Sequence, residues 1–165
     1  MTTEPQRVVL DTNVLVSLYV FADSRIAPLR CEIEAGRWLA LSSEACLDEW
    51  RRVLAYPVFA LSDSAQAVAY TAYAQRARLI APPDKIAYPL PRCKDRDDQK
   101  FLEVARDGQA EALITADKAL LILARREKMA GRFRIMAPDV ALDDLLTAPA
   151  RATECGRALA RGDIQ

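Results

Sequence analysis

The chain has 165 residues, of which 52% are hydrophobic and 28% charged, so it is neither disordered nor built of low-complexity repeats. A chain of this length can bury about 70% of its unfolded surface, which suits one globular domain. The 23 basic and 23 acidic side chains balance, and there is no histidine. This composition excludes Ser-His-Asp and Cys-His catalysis and histidine-ligated metal sites, so any acid–base or metal chemistry must use carboxylates.

The cysteines and the hydropathy pattern predict a cytoplasmic protein without membrane contact. Four cysteines are present, at Cys31, Cys46, Cys93 and Cys155. They contain no CxxC pair, which excludes a zinc knuckle or a thioredoxin-like site and predicts buried thiols. Residues 1–7 are polar and show no apolar segment of a signal peptide. The longest apolar stretch, Val14–Ala22, is far shorter than the roughly 20 residues that cross a bilayer.

The first half of the chain predicts strands that alternate with helices. Arg7–Leu10 is an apolar run that ends in Asp-Thr-Asn, as buried strands do where they enter a turn. Val14–Ala22 and Ile26–Ala35 predict helices, and Trp38–Leu41 predicts a second strand. A further helix begins after Ser42 or Ser43, either of which can cap it, and continues to about Leu54 before Pro57.

The second half continues this alternation after an alanine-rich helix over residues 62–78 and a proline-rich connection over residues 79–91. The remaining predicted elements are a helix at Asp95–Asp107, a strand at Ala112–Thr115, a helix at Lys118–Lys128, a strand at Arg132–Met136 and a helix at Asp139–Leu146. Such alternation predicts an α/β three-layer sandwich with a mostly parallel central sheet. We expect one domain over residues 1–148 and a C-terminal tail over residues 149–165.

Two aspartates follow predicted strands, where open parallel sheets bind their ligands. Asp11 comes directly after the first strand, and Asp117 comes two residues after Thr115. Each could equally be a helix cap or a turn residue, because aspartate is among the preferred caps.

The predicted helix at Asp95 carries further acids. Asp98 lies in its apolar stripe, three and four residues before Phe101 and Leu102, whereas Asp95 shares that side and Asp97 points away. A carboxylate aimed at the core is costly unless a positive charge meets it. The alternative is a solvated acidic cluster that the helix dipole stabilises.

Glu44 and Glu49 border the two sides of the apolar arc of the helix before Pro57, and periodicity alone does not separate them. Carboxylates that converge on one crevice repel one another, so they take up protons or bind a divalent cation. An all-oxygen ligand set favours Mg²⁺ or Mn²⁺ over zinc, and such an ion supports phosphodiester hydrolysis.

Four segments, taken in chain order, resemble the acidic motifs of PIN-domain nucleases, and the toxin components of bacterial toxin–antitoxin systems above all. The segments are VVLDTNVLVS at Val8–Ser17, LDEWRRVL at Leu47–Leu54 with Pro57–Phe59 behind it, CKDRDDQKFL at Cys93–Leu102, and LITADKALL at Leu113–Leu121. The likeness spans residues 7–147. One motif alone is weak evidence, whereas four in the same order are specific.

The resemblance implies a role for each matching residue. The catalytic and metal-binding acids would be Asp11, Glu49, Asp98 and Asp117, which selects Glu49 over Glu44. Asn13 and Thr115 would orient carboxylates or the attacking water, and Asp95 and Asp97 are additional acids of the third motif. Arg96 departs from the family pattern, in which proline is common, and adds a cation beside these acids.

The implied activity is hydrolysis of single-stranded RNA by a water that Mg²⁺ activates, with Mn²⁺ as a possible substitute, leaving 5′-phosphate and 3′-hydroxyl ends. A cognate antitoxin protein and a homodimer are the implied partners. Basic residues near the third and fourth motifs are candidate RNA-backbone contacts, at Arg92, Lys94, Arg96 and Lys118. They could equally be solvated surface charges, and no aromatic platform for stacking bases is evident.

Three other readings compete with this one. A receiver-like signalling domain needs an adjacent acidic pair near the start, but the pair Asp97-Asp98 comes late. A haloacid-dehalogenase-like phosphatase needs a second aspartate where this chain has Asn13. A PIN-like binding module with little turnover, acting through dimer or antitoxin contacts, has the same motifs and stays open.

Overall fold

The computed structural model describes residues 4–147, which form one five-stranded sheet. The strands are β1 (Gln6–Leu10), β2 (Trp38–Ser42), β3 (Ala77–Leu79), β4 (Ala112–Ile114) and β5 (Arg134–Met136). Every neighbouring pair is parallel, and the spatial order is β3, β2, β1, β4, β5. The predicted α/β fold with a mostly parallel sheet is confirmed.

Within residues 4–147, seven helices connect or flank the strands: α1 (Thr12–Leu15), α2 (Ala27–Glu34), α3 (Glu44–Leu54), α4 (Asp63–Ala74), α5 (Gln99–Asp107), α6 (Lys118–Leu121) and α7 (Pro138–Thr147). A wider π-helical turn, Val16–Val20, continues α1. Single 3₁₀ turns occupy Pro57–Phe59, Ile122–Arg125 and Glu127–Met129. Ser43 caps α3 by accepting the N–H of Cys46, as one of the two predicted serines should.

The sheet is buried on both faces, which is why its central strands are continuously apolar. Alternate residues of β1 point to opposite sides: Val8 packs in one core cluster with Trp50 of α3, and Val9 packs in the other with Phe101 of α5. The resulting helix–sheet–helix arrangement is the predicted three-layer sandwich.

Strand order reverses at β1. The chain moves from β1 to β2 and β3 on one side, then returns to place β4 and β5 on the other. Helices that leave neighbouring strands at such a point diverge to opposite faces of the sheet and open a crevice at the carboxyl ends of β1 and β4. Asp11 and Thr115 directly follow these two strands.

Three local predictions were wrong. The strand at Ala77–Leu79 was missed, because three residues at a largely exposed edge carry too little apolar signal. The helix predicted from Asp95 begins at Gln99, since Asp95 Oδ1 accepts the N–H of Asp97 at 2.9 Å and forms a turn instead. The helix predicted over Lys118–Lys128 is divided into α6 and two 3₁₀ turns.

Cys46 and Cys93 are buried thiols, as predicted, whereas Cys31 on α2 is only partly buried. None of the helices found in residues 4–147 has the length and apolar character needed to cross a membrane. The predicted tail and Cys155 lie outside the described residues.

Candidate functional site

Asp11 is held at the carboxyl end of β1. Its backbone N–H donates to the carbonyl of Ile114 at 3.0 Å, which ties it to the end of β4. Its side chain is only 4% exposed and accepts a 2.6 Å hydrogen bond from the hydroxyl of Thr115, which is fully buried. The sheet therefore fixes this carboxylate by its backbone and by its side chain.

Asp117 is positioned by the same hydroxyl. Its N–H donates to Thr115 Oγ1 at 2.9 Å, and its own Oδ1 accepts the N–H of Ala119 at 2.9 Å, so it also caps α6. Cap and site residue are thus combined in one side chain. Asn13 Oδ1 accepts the N–H of Ala116 in a long contact of 3.4 Å, which places this side chain beside the loop rather than on a carboxylate.

Glu49 on α3 accepts hydrogen bonds from side chains of two other helices, α1 and α5. The hydroxyl of Thr12 donates to one of its oxygens at 2.5 Å, and the ammonium of Lys100 donates to the other at 3.2 Å. Glu44 is exposed at the start of α3 and borders an apolar groove with Ile86. The structure therefore brings Glu49, and not Glu44, toward Asp11.

Asp98 completes the group. It immediately precedes α5, already with helical backbone angles, which accounts for its predicted position on the apolar stripe. Burial raises the pKa of Asp98 to about 7, helped by a side-chain hydrogen bond with Asp117 and by the charges of Asp11, Asp117 and Asp95. Burial also raises the pKa of Asp11, which the Thr115 hydrogen bond opposes and the charges of Glu49 and Asp117 reinforce.

These contacts bring together four carboxylates, one on α3 and the others directly after β1, before α5 and before α6, in one acidic site, which we define as Asp11, Glu49, Asp98 and Asp117. The negative charges of the acids repel one another, and Asp98 forms a side-chain hydrogen bond with Asp117. Carboxylates crowded in this way are neutralised either by protons or by a cation. The donor set therefore fits a hard divalent cation. Within residues 4–147, however, no three acidic or thiol side chains stand close enough to hold a metal ion together.

The two remaining acids of the third motif differ in position. Asp95 lies near enough for its charge to act on Asp98 but is engaged in the turn before α5. Asp97 is exposed, and its backbone carbonyl accepts a 2.6 Å hydrogen bond from Lys100. Neither is on α5, so helical periodicity gave the wrong reason for their placement.

Two polar contacts of the site were not predicted. Thr12 was read only as part of the Asp-Thr-Asn turn, and Lys100 only as one of several charges around the third motif. Both act on Glu49, which is 37 and 51 positions away from them. A lysine two residues after Asp98, next to a buried phenylalanine, is the signal that could have indicated a paired cation.

A basic groove of about 830 Å³ opens beside the acidic site, which it adjoins through Asp97 and Lys100. Its basic lining residues are Arg92, Lys94, Arg96, Lys100 and Arg106. A second groove of about 580 Å³ shares Leu90 and Arg92 with it and adds Arg126 and Lys128. Three of the four predicted backbone contacts thus lie in one groove, whereas Lys118 begins α6 outside its lining.

A comparison with protein families agrees with this arrangement. A model of the PIN domain matches residues 7–119, which is more than half of the chain and includes all four acids. No curated protein matches the chain.

Proposed function

Since the chain belongs to the PIN-domain family, whose members are generally nucleases, we propose that it is a metal-dependent endoribonuclease that hydrolyses single-stranded RNA. The observation that carries the proposal is the convergence of Asp11, Glu49, Asp98 and Asp117 on one crevice, where burial and the charges of the neighbouring acids raise the pKa values of Asp11 and Asp98. No histidine is present to serve as a base, so the activation of water depends on the carboxylates and on a cation that they hold.

The four acids would hold Mg²⁺, or Mn²⁺ in its place. Such an ion, when bound, lowers the pKa of a water and polarises a phosphoryl oxygen. The chain's own residues supply orientation: Thr115 fixes the Asp11 carboxylate, and Thr12 fixes that of Glu49. Burial and a side-chain hydrogen bond with Asp117 raise the pKa of Asp98 to about 7 in the cation-free protein, so a cation that binds this carboxylate competes with a proton. Attack of water on the phosphorus would leave 5′-phosphate and 3′-hydroxyl ends.

The basic groove supports RNA as the substrate. Arg92, Lys94 and Arg96 are exposed cations along one lining, and a phosphodiester backbone is the polyanion that such a row attracts. Lys118 directly follows Asp117 at the start of α6, and we assign to it a further phosphate contact outside the groove. The lining residues of this groove include no base-stacking aromatics, so the contacts we expect are with phosphates, and the single-stranded form of the substrate rests on the likeness of the four motifs.

We extend the proposal to a role as the cytoplasmic toxin of a toxin–antitoxin pair, with a cognate antitoxin protein and a second copy of this chain as partners. The support is the likeness of the four motifs to those of such toxins. Growth arrest when the chain is expressed in a bacterial host, and no arrest with Asp11→Asn, is the expected result. Equal growth with both would contradict the toxin role without touching the nuclease.

A PIN-like binding module with little turnover is the second candidate. It is favoured by one observation, that no three of the acids in the described residues stand within joint metal-ligating distance. The two candidates differ in whether RNA is cut.

Cleavage of mixed RNAs in Mg²⁺ by the purified wild-type chain tests both, beside Asp11→Asn, Asp98→Asn and a matched control, Asp84→Asn, in an exposed loop. We expect products from the wild type and the control alone. Equal products from all four proteins would reveal a contaminating nuclease, and no product from any would favour the binding module.

A further inference from the structure

Lys100 pairs directly with the acidic site, and it is the only lysine or arginine of residues 4–147 that forms an ion pair with one of the four acids. Its Nζ lies 3.2 Å from Glu49 Oε1, and both side chains are mostly buried, at 18% and 19% exposure. The same ammonium donates to the carbonyl of Asp97 at 2.6 Å and lies 5.1 Å from the centre of the Phe101 ring. These contacts hold the charge at one place.

Both oxygens of Glu49 are therefore occupied in this structure, one by Lys100 and the other by the Thr12 hydroxyl. A cation that takes up Glu49 must share it with the ammonium or displace it. The ammonium repels the incoming cation, and it also restricts the carboxylate to one orientation. The repulsion lowers cation affinity, so removal of the charge should strengthen cation binding. The fixed orientation of Glu49 supports turnover, so removal of the charge should slow the reaction.

We propose that Lys100 is a positioning residue of the acidic site, whose ammonium orients Glu49 and is the resident counter-charge with which a divalent cation competes. The inference rests on the proposed function, because it requires that the four acids bind such a cation. It assigns to Lys100 a role apart from the phosphate contacts of the basic groove.

Removal of the charge tests the proposal. Isothermal titration with Mn²⁺ should show a dissociation constant about 5–20-fold lower for Lys100→Met than for the wild type, as expected from loss of one positive charge near a partly screened dication. Lys100→Arg keeps the charge and should bind Mn²⁺ within about twofold of the wild type. So should the matched control Lys85→Met, because Lys85 is exposed in the proline-rich connection and lines neither basic groove.

Turnover should change in the other direction. At saturating Mn²⁺, kcat of Lys100→Met should fall about tenfold or more, since Glu49 keeps only its Thr12 contact. In the presence of a chelator, the melting temperature of Lys100→Met should be lower than that of the wild type. Addition of Mn²⁺ should raise the melting temperature of the variant by more than it raises that of the wild type. A purely structural role would weaken cation binding and turnover together.

Lys100→Gln provides a second neutral variant that retains a hydrogen-bond donor for the Asp97 carbonyl, in case the methionine variant does not fold. Cation affinity that is unchanged or weaker in the folded neutral variant overturns the proposal. If the wild type binds Mn²⁺, Asp98→Asn does not, and Lys100→Met binds as the wild type does, only the role of Lys100 fails. If the wild type binds no Mn²⁺, the proposed metal-dependent function fails with it.

Discussion

Thr115 and Asp11 are joined side chain to side chain across 104 positions of the sequence, by a 2.6 Å hydrogen bond at the carboxyl ends of two neighbouring strands. The same hydroxyl accepts the backbone N–H of Asp117. One buried oxygen therefore sets the distance between two of the four acids. Its position depends on the parallel pairing of β1 with β4, so the sheet itself positions the site.

Thr115→Val should lower both the stability of the fold and the rate of RNA cleavage, because it removes the hydroxyl that binds Asp11 and the N–H of Asp117. Valine has nearly the same shape but leaves Asp11 and the Asp117 N–H without their buried partner, so the free energy of unfolding should fall by about 1–3 kcal/mol. RNA cleavage should fall by about 10–100-fold, as for loss of a group that orients a metal ligand. Chemical denaturation and initial cleavage rates measure the two effects.

Thr71→Val is the matched control, because Thr71 is exposed on α4 and its hydroxyl forms none of the side-chain hydrogen bonds found in residues 4–147. It should leave both quantities unchanged. Full cleavage activity in Thr115→Val would show that the hydroxyl does not position Asp11 for the reaction.

In the absence of a divalent cation, the stability of the fold should decrease as pH rises, because the acids of the site lose protons and repel one another. Burial and neighbouring carboxylates raise the pKa of Asp98 to about 7, so the folded chain keeps a proton that the unfolded chain has lost at the same pH. The contribution of Asp98 to the free energy of unfolding therefore falls as pH rises from about 4 to about 7, and it levels off above that range. In a chelator, the wild type should melt at a lower temperature at pH 8 than at pH 5.5.

The same repulsion is what a cation relieves, so Mg²⁺ should raise the melting temperature more at pH 8 than at pH 5.5. Differential scanning fluorimetry at both pH values, with chelator or Mg²⁺, measures this. Asp98→Asn should flatten the pH dependence in chelator, whereas Asp84→Asn, in an exposed loop, should leave it as it is. A wild type that is more stable at pH 8 in chelator would contradict the raised pKa.

The sequence predicts the central part of the fold well, for a physical reason. Val8, Val9 and Leu10 are apolar on both faces because the strand is covered on both sides, and Asp11 ends the run abruptly. Edge strand β3 has no such signature, since two of its three residues are exposed. The start of α5 was misplaced because a side chain, Asp95, competes for the backbone there.

The sequence was sufficient to find the candidate acids of the site, but it did not predict the contacts that these acids make. Position after a strand indicated Asp11 and Asp117, but periodicity left Glu44 and Glu49 equivalent, and the family likeness was needed to choose. The tertiary structure decides the matter, because α1 and α5 bring Thr12 and Lys100 to Glu49. No local pattern of sequence encodes an approach between residues that lie 51 positions apart.

Glu49→Gln and Glu44→Gln compare two carboxylates on one helix. Glutamine at position 49 removes the charge that a cation and Lys100 both use, so cleavage should fall by more than the roughly 100-fold that loss of a supporting partner can cost. Glutamine at position 44 changes an exposed side chain outside the acidic site and should leave the rate within experimental error. Steady-state cleavage of one RNA by each variant measures both effects. Comparable losses of activity in the two variants would contradict the assignment of Glu49 to the acidic site.

The salt dependence of RNA binding should identify which cations contact phosphates. Each phosphate contact with a single strand contributes a slope of about 0.7 to the fall of log affinity with log salt. Arg92 borders both grooves, so a strand that follows them passes it, and Arg92→Ala should lower the slope by about that amount and raise KM while kcat changes little.

Arg78→Ala is the control for this measurement, since Arg78 is an exposed arginine on edge strand β3 outside both grooves. It should leave the slope and KM unchanged, because an exposed charge that does not line the grooves makes no phosphate contact with a strand that follows them. Binding is measured with Asp98→Asn as the background, so that RNA stays uncut over the salt range. An equal fall in slope for both variants would mean that RNA is attracted by overall charge and does not follow the grooves.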